Sequence, residues 1–434
     1  MTQKAIKRVS GPPSFPFHQN MMRVNEHTPS FLRAYRQHAW DVYEQLPLPS
    51  MREEAWRRTD LRNLNVASFH LAEADTAALL RPLTAKKEGG QMLLSASGVQ
   101  RSFSEQLSSQ GVIFTDMLTA EESHPAILEQ VLGKVVRPEE GKFAAMASAF
   151  AKCGALIYIP RGVQVQQPLH SLLWGGVEGE ANFSHFIIWL DEGASLTYVH
   201  EMASAAIKRG QSLHAGNIEI IVGAAATLRF VELQSWGQQM WHFSHARAEV
   251  QRDGQLDWIC AAIGSRLSKS FASLDLTAPG AMGRMSGLYF TDGQQHIDYD
   301  TQQNHLAPHT SSDLIFKGAL KGQSRSVWQG MIYVAPQTQK TDGYQANRNL
   351  ILSPQARADS IPGLEIMAND VRCSHGATVG KIDPEHLFFL QARGIPLPEA
   401  ERLIVEGFFD PIMQRIPITG LRRRLQRTIQ QKMN

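Results

Sequence analysis

Leu190-Asp191-Glu192-Gly193-Ala194-Ser195-Leu196 is echoed by Val222-Gly223-Ala224-Ala225-Ala226-Thr227-Leu228, and Asp253-Gly254-Gln255-Leu256 follows. Gly193, Gly223 and Gly254 recur about thirty residues apart, each set between two apolar runs. A strand–turn–strand unit repeated at that interval reads as stacked rungs, each burying its apolar face on the next. Strand-like runs extend the pattern on both sides, from Leu156–Ile159 through Phe183–Leu190, Asn217–Val222 and Leu314–Lys317 to Leu364–Met367, with no long helical window between them. A right-handed parallel β-helix accounts for this without crossover helices. A β-sandwich or a double-stranded jelly roll is the alternative that periodicity leaves open. The ends of such a stack carry unpaired backbone groups, which must be capped or paired with another chain.

The region before it is mixed and largely helical. Residues 1–27 read as a loose arm, and Thr28-Pro29-Ser30 opens a helix with Leu32, Tyr35, Ala39, Val42 and Leu46 on one stripe. Ser50 and Glu53 form a capping box for a short helix that carries Trp56 as an aromatic anchor on a solvated face. Short strands are expected at Gln91–Leu94 and Gly111–Phe114, and helices over 121–132 and 142–152, the last ended by Gly154. After the β region, helices begin at Asp383-Pro384 and after Pro396 and Pro398. A final one runs on Ile418, Leu421, Leu425 and Ile429, with Arg422, Arg423, Arg424, Arg427 and Lys432 on its other face. That basic face suits an acidic protein surface or a polyanion, or is simply solvated. The expected partition is 1–152 mostly helical, 153–375 β-helix core and 376–434 helical.

At the seam between the last two regions stands Val371-Arg372-Cys373-Ser374-His375-Gly376-Ala377-Thr378-Val379-Gly380. In an extended chain residues two apart share a face, about 7 Å from one another. Cys373 and His375 therefore project together, with Val371 beneath, while Arg372 and Ser374 point away. A thiolate and an imidazole on one face can form a half-site for a transition metal. A small buried thiol and a structural histidine at a strand end give the same pattern.

Composition narrows the function. Lys+Arg of 43 against Asp+Glu of 41 gives no basis for whole-surface binding to nucleic acid or membrane. Three cysteines, with no CxxC pair, argue against a disulfide framework and a self-contained zinc site, and favour a reducing cytoplasm. No apolar run reaches bilayer-spanning length, and Met1–Ser10 is followed by no signal-peptide core. A P-loop is absent, as is a Gly-x-Ser-x-Gly elbow, so neither nucleotide binding by this chain nor an esterase-type site is expected. A cupin-like metal enzyme would draw on His296, His305 and His309, whose spacing matches no ligand motif.

The span from Gly330 to Phe409 resembles the SufB/SufD family, scaffold of the SUF iron–sulfur cluster assembly system. The matching pieces are Lys340-Thr341-Asp342, Asn349-Leu350-Ile351-Leu352-Ser353, Pro362-Gly363-Leu364-Glu365-Ile366, Asn369-Asp370 leading into the seam motif, Leu387-Phe388-Phe389-Leu390 and Arg393-Gly394-Ile395. Weaker matches lie at Glu54–Thr59 and Tyr158–Val163. Gly376-Ala377-Thr378-Val379-Gly380 after the histidine is similar to the D-type branch, where the B-type usually has Glu. The resemblance implies a β-helix between two helical regions, a SufB-type paralogue as partner, and a SufC ABC-type ATPase docked on the C-terminal helices. Self-pairing of the isolated chain is a further implied option. It also implies a transient iron–sulfur cluster shared with the paralogue, with His375 as the preferred ligand and Cys373 as a less secure one. Such a chain is a scaffold without catalysis of its own.

Overall fold

The computed structural model describes residues 14–72, 89–96, 98–205 and 210–433. The expected arm therefore lies partly outside the described residues. From Cys153 onward the chain winds as a solenoid, alternate strands joining one or the other of two ten-stranded sheets. Every strand pairing from strand Cys153–Ile159 to strand Val371–Lys381 is parallel, which excludes the sandwich and the jelly roll. Antiparallel pairs occur where the N-terminal region caps the stack, Gly90–Ser95 on Gly98–Phe103 and Ile113–Asp116 on Cys153–Ile159.

Register brings like residues into columns. Tyr198, Phe230 and Trp258 fall in line on three neighbouring strands, their rings 5.7 Å apart at each step, and form part of the inner core. The repeated turns stack as well: the N–H of Gly193 donates to Ala224, that of Ala225 to Arg252 and that of Asp253 to Pro279. These three donors share a left-handed conformation, with φ of 65°, 53° and 56°. The expected equivalence of Gly193, Gly223 and Gly254 is therefore corrected. The repeat is real, but Ala225 and Asp253 occupy the left-handed position. Gly223 lacks a side chain for another reason, since a Cβ there would lie 2.7 Å from the Leu190 carbonyl.

Two outer faces are covered. On one sheet, α1 (Ser30–Gln45) and α2 (Lys142–Phe150) belong to a cluster in which Phe143, Phe150 and Trp56 meet Phe183, Trp241 and Phe243. Trp56 is thus buried against Phe143, Phe243 and Phe271 rather than anchoring a solvated helix. The stripe of α1 is also shifted: its buried residues are Leu32, Arg36, Ala39 and Tyr43, and Arg36 is paired with Glu121 at 2.5 Å. The helix expected over 121–132 is two, broken at His124 before Pro125. Gly154 does not end α2, whose cap is Ala151; it lies in the first core strand, close against the His185 backbone.

On the other sheet the C-terminal helices α3 (Pro384–Gln391), α4 (Leu397–Met413) and α5 (Thr419–Met433) follow the last strand. Val405, Phe409, Ile412, Leu421, Leu425 and Ile429 of α4 and α5 pack on Val231, Ile259, Leu288 and Phe290. The basic face of α5 is partly used here, because Arg424 pairs with Glu201 and Lys432 with Asp292. The last three coils are built from β1 (His296–His305), β2 (Ser311–Leu320), β3 (Arg325–Val334), β4 (Thr341–Ile351), β5 (Arg357–Ile366) and β6 (Val371–Lys381). The seam motif is strand throughout, and the solenoid ends at Lys381, six residues past His375.

Candidate functional site at the open end of the solenoid

β6 is the terminal strand of its sheet, bonded to β4 on one side only. In a parallel ladder the N–H and C=O of one residue point to one neighbour and those of the next residue to the other. Asp342 and Leu352 of this coil donate to Thr310 and Leu320, so the odd-numbered residues of β4 face β6. They bond to the residues that flank their register partners. The backbone groups of Val371, Cys373, His375, Ala377 and Val379 therefore point away from the solenoid. Their side chains stand on the inner face, where Gly343, Gln345, Asn347 and Asn349 lie beneath Cys373, His375, Ala377 and Val379. No further coil covers them, and this is why the inner face, buried elsewhere, is half-buried at Val371 and Cys373 and exposed at His375.

The predicted pair is brought together on one face, as alternation requires, with Arg372 and Ser374 exposed on the other. Its two members differ. Burial pushes the Cys373 thiol up, while the backbone N–H of Gly343 beneath it pulls the other way. Gly343 leaves room for this thiol: a Cβ there would lie 3.3 Å from Cys373 Sγ, His305 Nε2 and Ile332 Cγ2 alike. His375 is exposed and makes no hydrogen bond to any described residue. An exposed imidazole on an unpaired strand edge can ligate a metal presented from outside; a half-buried thiol needs a shift or a proton loss first.

The other candidates do not converge. His296 opens β1 and His305 closes it, which at a strand rise of 3.3 Å places them about 30 Å apart. His305 is held at both nitrogens, by Thr310 and Ser312 at 2.8 Å, and burial pushes its pKa down to about 4. His296 meets Thr59 at 3.1 Å, and His309 sits in a turn with φ of 60°. The cupin-like reading is thereby corrected: one strand cannot fold its two ends onto one metal. His242 and His245 face opposite sides, the first against His214 in the lumen and the second stacked on Phe271. Cys153 and Cys260 are buried, with thiols pushed up by burial, and Cys260 lies four strands below Cys373 and in the column of Ala377, about 23 Å away. Among the described residues no three His, Cys, Asp or Glu side chains form a metal-binding group.

Sequence reasoning missed the apolar rim of this end. Leu364, Ile366 and Met367 of the last coil and Val379 of β6 are exposed large hydrophobics. The signal was present in Leu364-Glu365-Ile366-Met367, but a strand in mid-sheet would read the same way. A second exposed apolar feature lies on α3, which has no buried residue; Phe388 is 72% and Phe389 53% exposed. A groove of about 700 Å3 between α4 and α5 is lined by Leu403, Glu406, Asp410, Arg422 and Gln426.

Residues 173–408 match the family described as SUF system FeS cluster assembly, SufBD core domain, and residues 91–170 match the SufBD protein N-terminal region. The chain belongs to the SufBD family. It is similar to the iron–sulfur cluster assembly protein SufD of Bacillus subtilis, 28% identical over 93% of this chain and 94% of that one. It is 31% identical to SufB of the same organism over 74% of this chain and 69% of that one. An iron–sulfur cluster assembly SufBD family protein of Staphylococcus haemolyticus is 30% identical over the same shares. The SufBD core match spans most of the solenoid and reaches into α4, so it includes His375 and the exposed α3. Among the described residues no helix is long and apolar enough to cross a membrane.

Proposed function

We propose that this chain is the D-type, non-catalytic scaffold subunit of a SUF iron–sulfur cluster assembly complex. The observation that carries this reading is His375, exposed in an unpaired strand edge whose backbone groups point outward. End-to-end match with a SufD, against a partial match with a SufB, supports the D-type assignment. The open end pairs through β6 with the corresponding end of a SufB-type paralogue, which covers Val379 of the apolar rim. His375 lends one ligand to a nascent cluster whose remaining ligands come from the partner, with Cys373 as a second, less accessible donor. Clusters are usually held by four thiolates, and the three cysteines of this chain stand too far apart to supply them. An incomplete site at a seam also suits a donor, since the cargo must leave.

The SufC ATPase docks on the C-terminal segment, 376–434, through the exposed α3 and the groove between α4 and α5. ATP-driven approach of two SufC subunits moves these helices and opens the seam for loading and release. The described residues before Cys153 cap the first coil and cover one outer face, and the core expected over 153–375 runs on through strand Val371–Lys381. The complex works in the cytoplasm, without nucleic acid or membrane, and this chain binds no nucleotide. The separation of His296 from His305 counts against the cupin-like enzyme. The test is His375→Ala in the reconstituted complex, which keeps fold and pairing and lowers cluster yield by about ten-fold or more, since loss of even an outer-shell partner of a metal costs about that much. An unchanged yield removes the ligand role.

A further inference from the structure

The two strands that end the solenoid are not equivalent. β5 ends the opposite sheet as β6 ends its own. Arg357 donates its N–H to Ser324 and Met367 donates to Val334, at 3.0 and 2.9 Å, so the odd-numbered residues of β5 face β3. Ala358, Ser360, Pro362, Leu364 and Ile366 therefore point their backbone groups outward. Pro362, in the middle, has no N–H to offer. It stays in register opposite Gly330, so the strand itself is uninterrupted. β6 has no proline, and every outward residue from Val371 to Lys381 carries both a donor and an acceptor.

The position of Pro362 relative to His375 is fixed by a bridge. Gln345, the register partner of His375, donates from Nε2 to the carbonyl of Gly363 at 2.9 Å and to that of Gly330 at 3.3 Å. Gly363 follows Pro362 and Gly330 is its register partner, so the missing donor lies across the lumen mouth from His375. Proline at an outward edge position is a recurrent way of preventing a ladder from forming there.

We propose that Pro362 is a ladder break that confines strand pairing at the open end to β6 and leaves the wall facing His375 unzipped. The occupant of β6 is the terminal strand of the SufB-type paralogue, and in this the inference rests on the reading above. Two consequences follow for the seam. Self-association of this chain through both sheets is weakened, because β5 offers no donor at Pro362. The cluster site keeps an unsealed side through which cargo passes.

Two measurements test this. In the isolated chain, Pro362→Ala and Pro362→Ser restore the outward donor. Sedimentation equilibrium should show self-association about ten-fold stronger in both, the effect of one or two added hydrogen bonds. Both variants are first checked for an unchanged far-UV spectrum, and self-association equal to that of the wild type overturns the proposal. In the wild-type chain mixed with the SufB paralogue, hydrogen exchange should slow at the amides of Cys373, His375, Ala377 and Val379 and stay fast at Ser360 and Leu364. Equal protection of both strands overturns the ladder break while pairing itself stands. If β6 gains no protection at all, the pairing reading falls, and the sedimentation result alone decides the role of Pro362.

Discussion

Gln345 lies beneath His375 in register, and its amide nitrogen ties the two sheets together by donating to the carbonyl of Gly363 at 2.9 Å. The side chain is fully buried and spans the lumen as a strut just under the open end. Gln345→Leu removes both bonds, while the two carbonyls keep their partners in the β3–β5 ladder and the unpartnered Oε1 goes with the side chain. The net worth of a hydrogen bond is about 0.5–1.5 kcal/mol, so the variant should lose about 1 kcal/mol in urea denaturation. The last coil should also exchange its amides faster than the coils below. Undiminished stability means that water replaces the strut without cost.

A second buried tie holds the N-terminal region to the solenoid. Lys269 is wholly buried and donates to Asp298 at 3.0 Å, and Thr59, three residues past Trp56, donates to the same carboxylate. Removing one partner of a buried pair strands the other charge, at about 3–5 kcal/mol. Lys269→Met is expected to fall in that range by chemical denaturation. Lys269→Met combined with Asp298→Asn should recover part of the loss, because no charge is then left unpaired. A double variant no better than the single one assigns the effect to packing around Trp56 and Phe271.

Much of the fold was legible because a solenoid repeats itself: the same turn and the same apolar column recur at each coil, so noise at one position is corrected by the next. What stayed hidden has identifiable causes. Gly154 looked like a helix terminator, since nothing local shows that the His185 backbone passes over it. Trp56 looked surface-bound, and the apolar stripe of α1 passed Arg36 by, because their partners, Phe243 and Glu121, lie far away in sequence. The pairing of Cys373 with His375 could be read from alternation alone. That His375 is exposed and Cys373 half-buried could not, because it depends on β6 being last. The strand expected at Leu364–Met367 starts earlier, at Arg357, and Pro362 is an ordinary position in it whose missing donor points outward.

Gly154→Ala tests the close approach found there. Gly154 has φ of 147°, and a Cβ would stand 1.8 Å from the His185 carbonyl oxygen, which belongs to the next strand of the same sheet. Backbone cannot step aside as a flexible side chain can. The substitution should cost on the order of 3 kcal/mol or more and lower the expressed yield of folded chain. A thermal midpoint within error of the wild type contradicts the close approach.

Acid should weaken the fold through its buried imidazoles. Burial pushes His200, His242 and His245 down to about 3, and His170 and His296 to about 4, from an ordinary value of 6.5. These groups are neutral in the folded chain and take up protons once unfolded. Between pH 6.5 and about 4 the unfolded state therefore binds more protons, and stability falls as pH falls through that window. Above pH 6.5 this contribution is complete and flat. Urea midpoints at pH 7.5 and 5 should differ clearly, and equal midpoints mean that the imidazoles reach water.

Deleting the whole C-terminal segment is a poor test of ATPase docking. Val405, Phe409, Leu421 and Ile429 cover Val231, Ile259 and Leu288, so the deletion strips the outer face of the sheet. α3 offers a cleaner test because it buries none of its residues. Phe388→Ser with Phe389→Ser removes two rings that are mostly in solvent already, so stability should change by no more than about 0.5 kcal/mol. Exposed aromatics at an interface commonly act as anchors, each worth about 2 kcal/mol or more on truncation. Affinity for SufC, read by titration calorimetry, should therefore fall by about a hundred-fold or more. Unchanged affinity with an intact fold moves the docking surface from α3 to the groove between α4 and α5, where Asp410→Ala and Arg422→Ala become the informative variants.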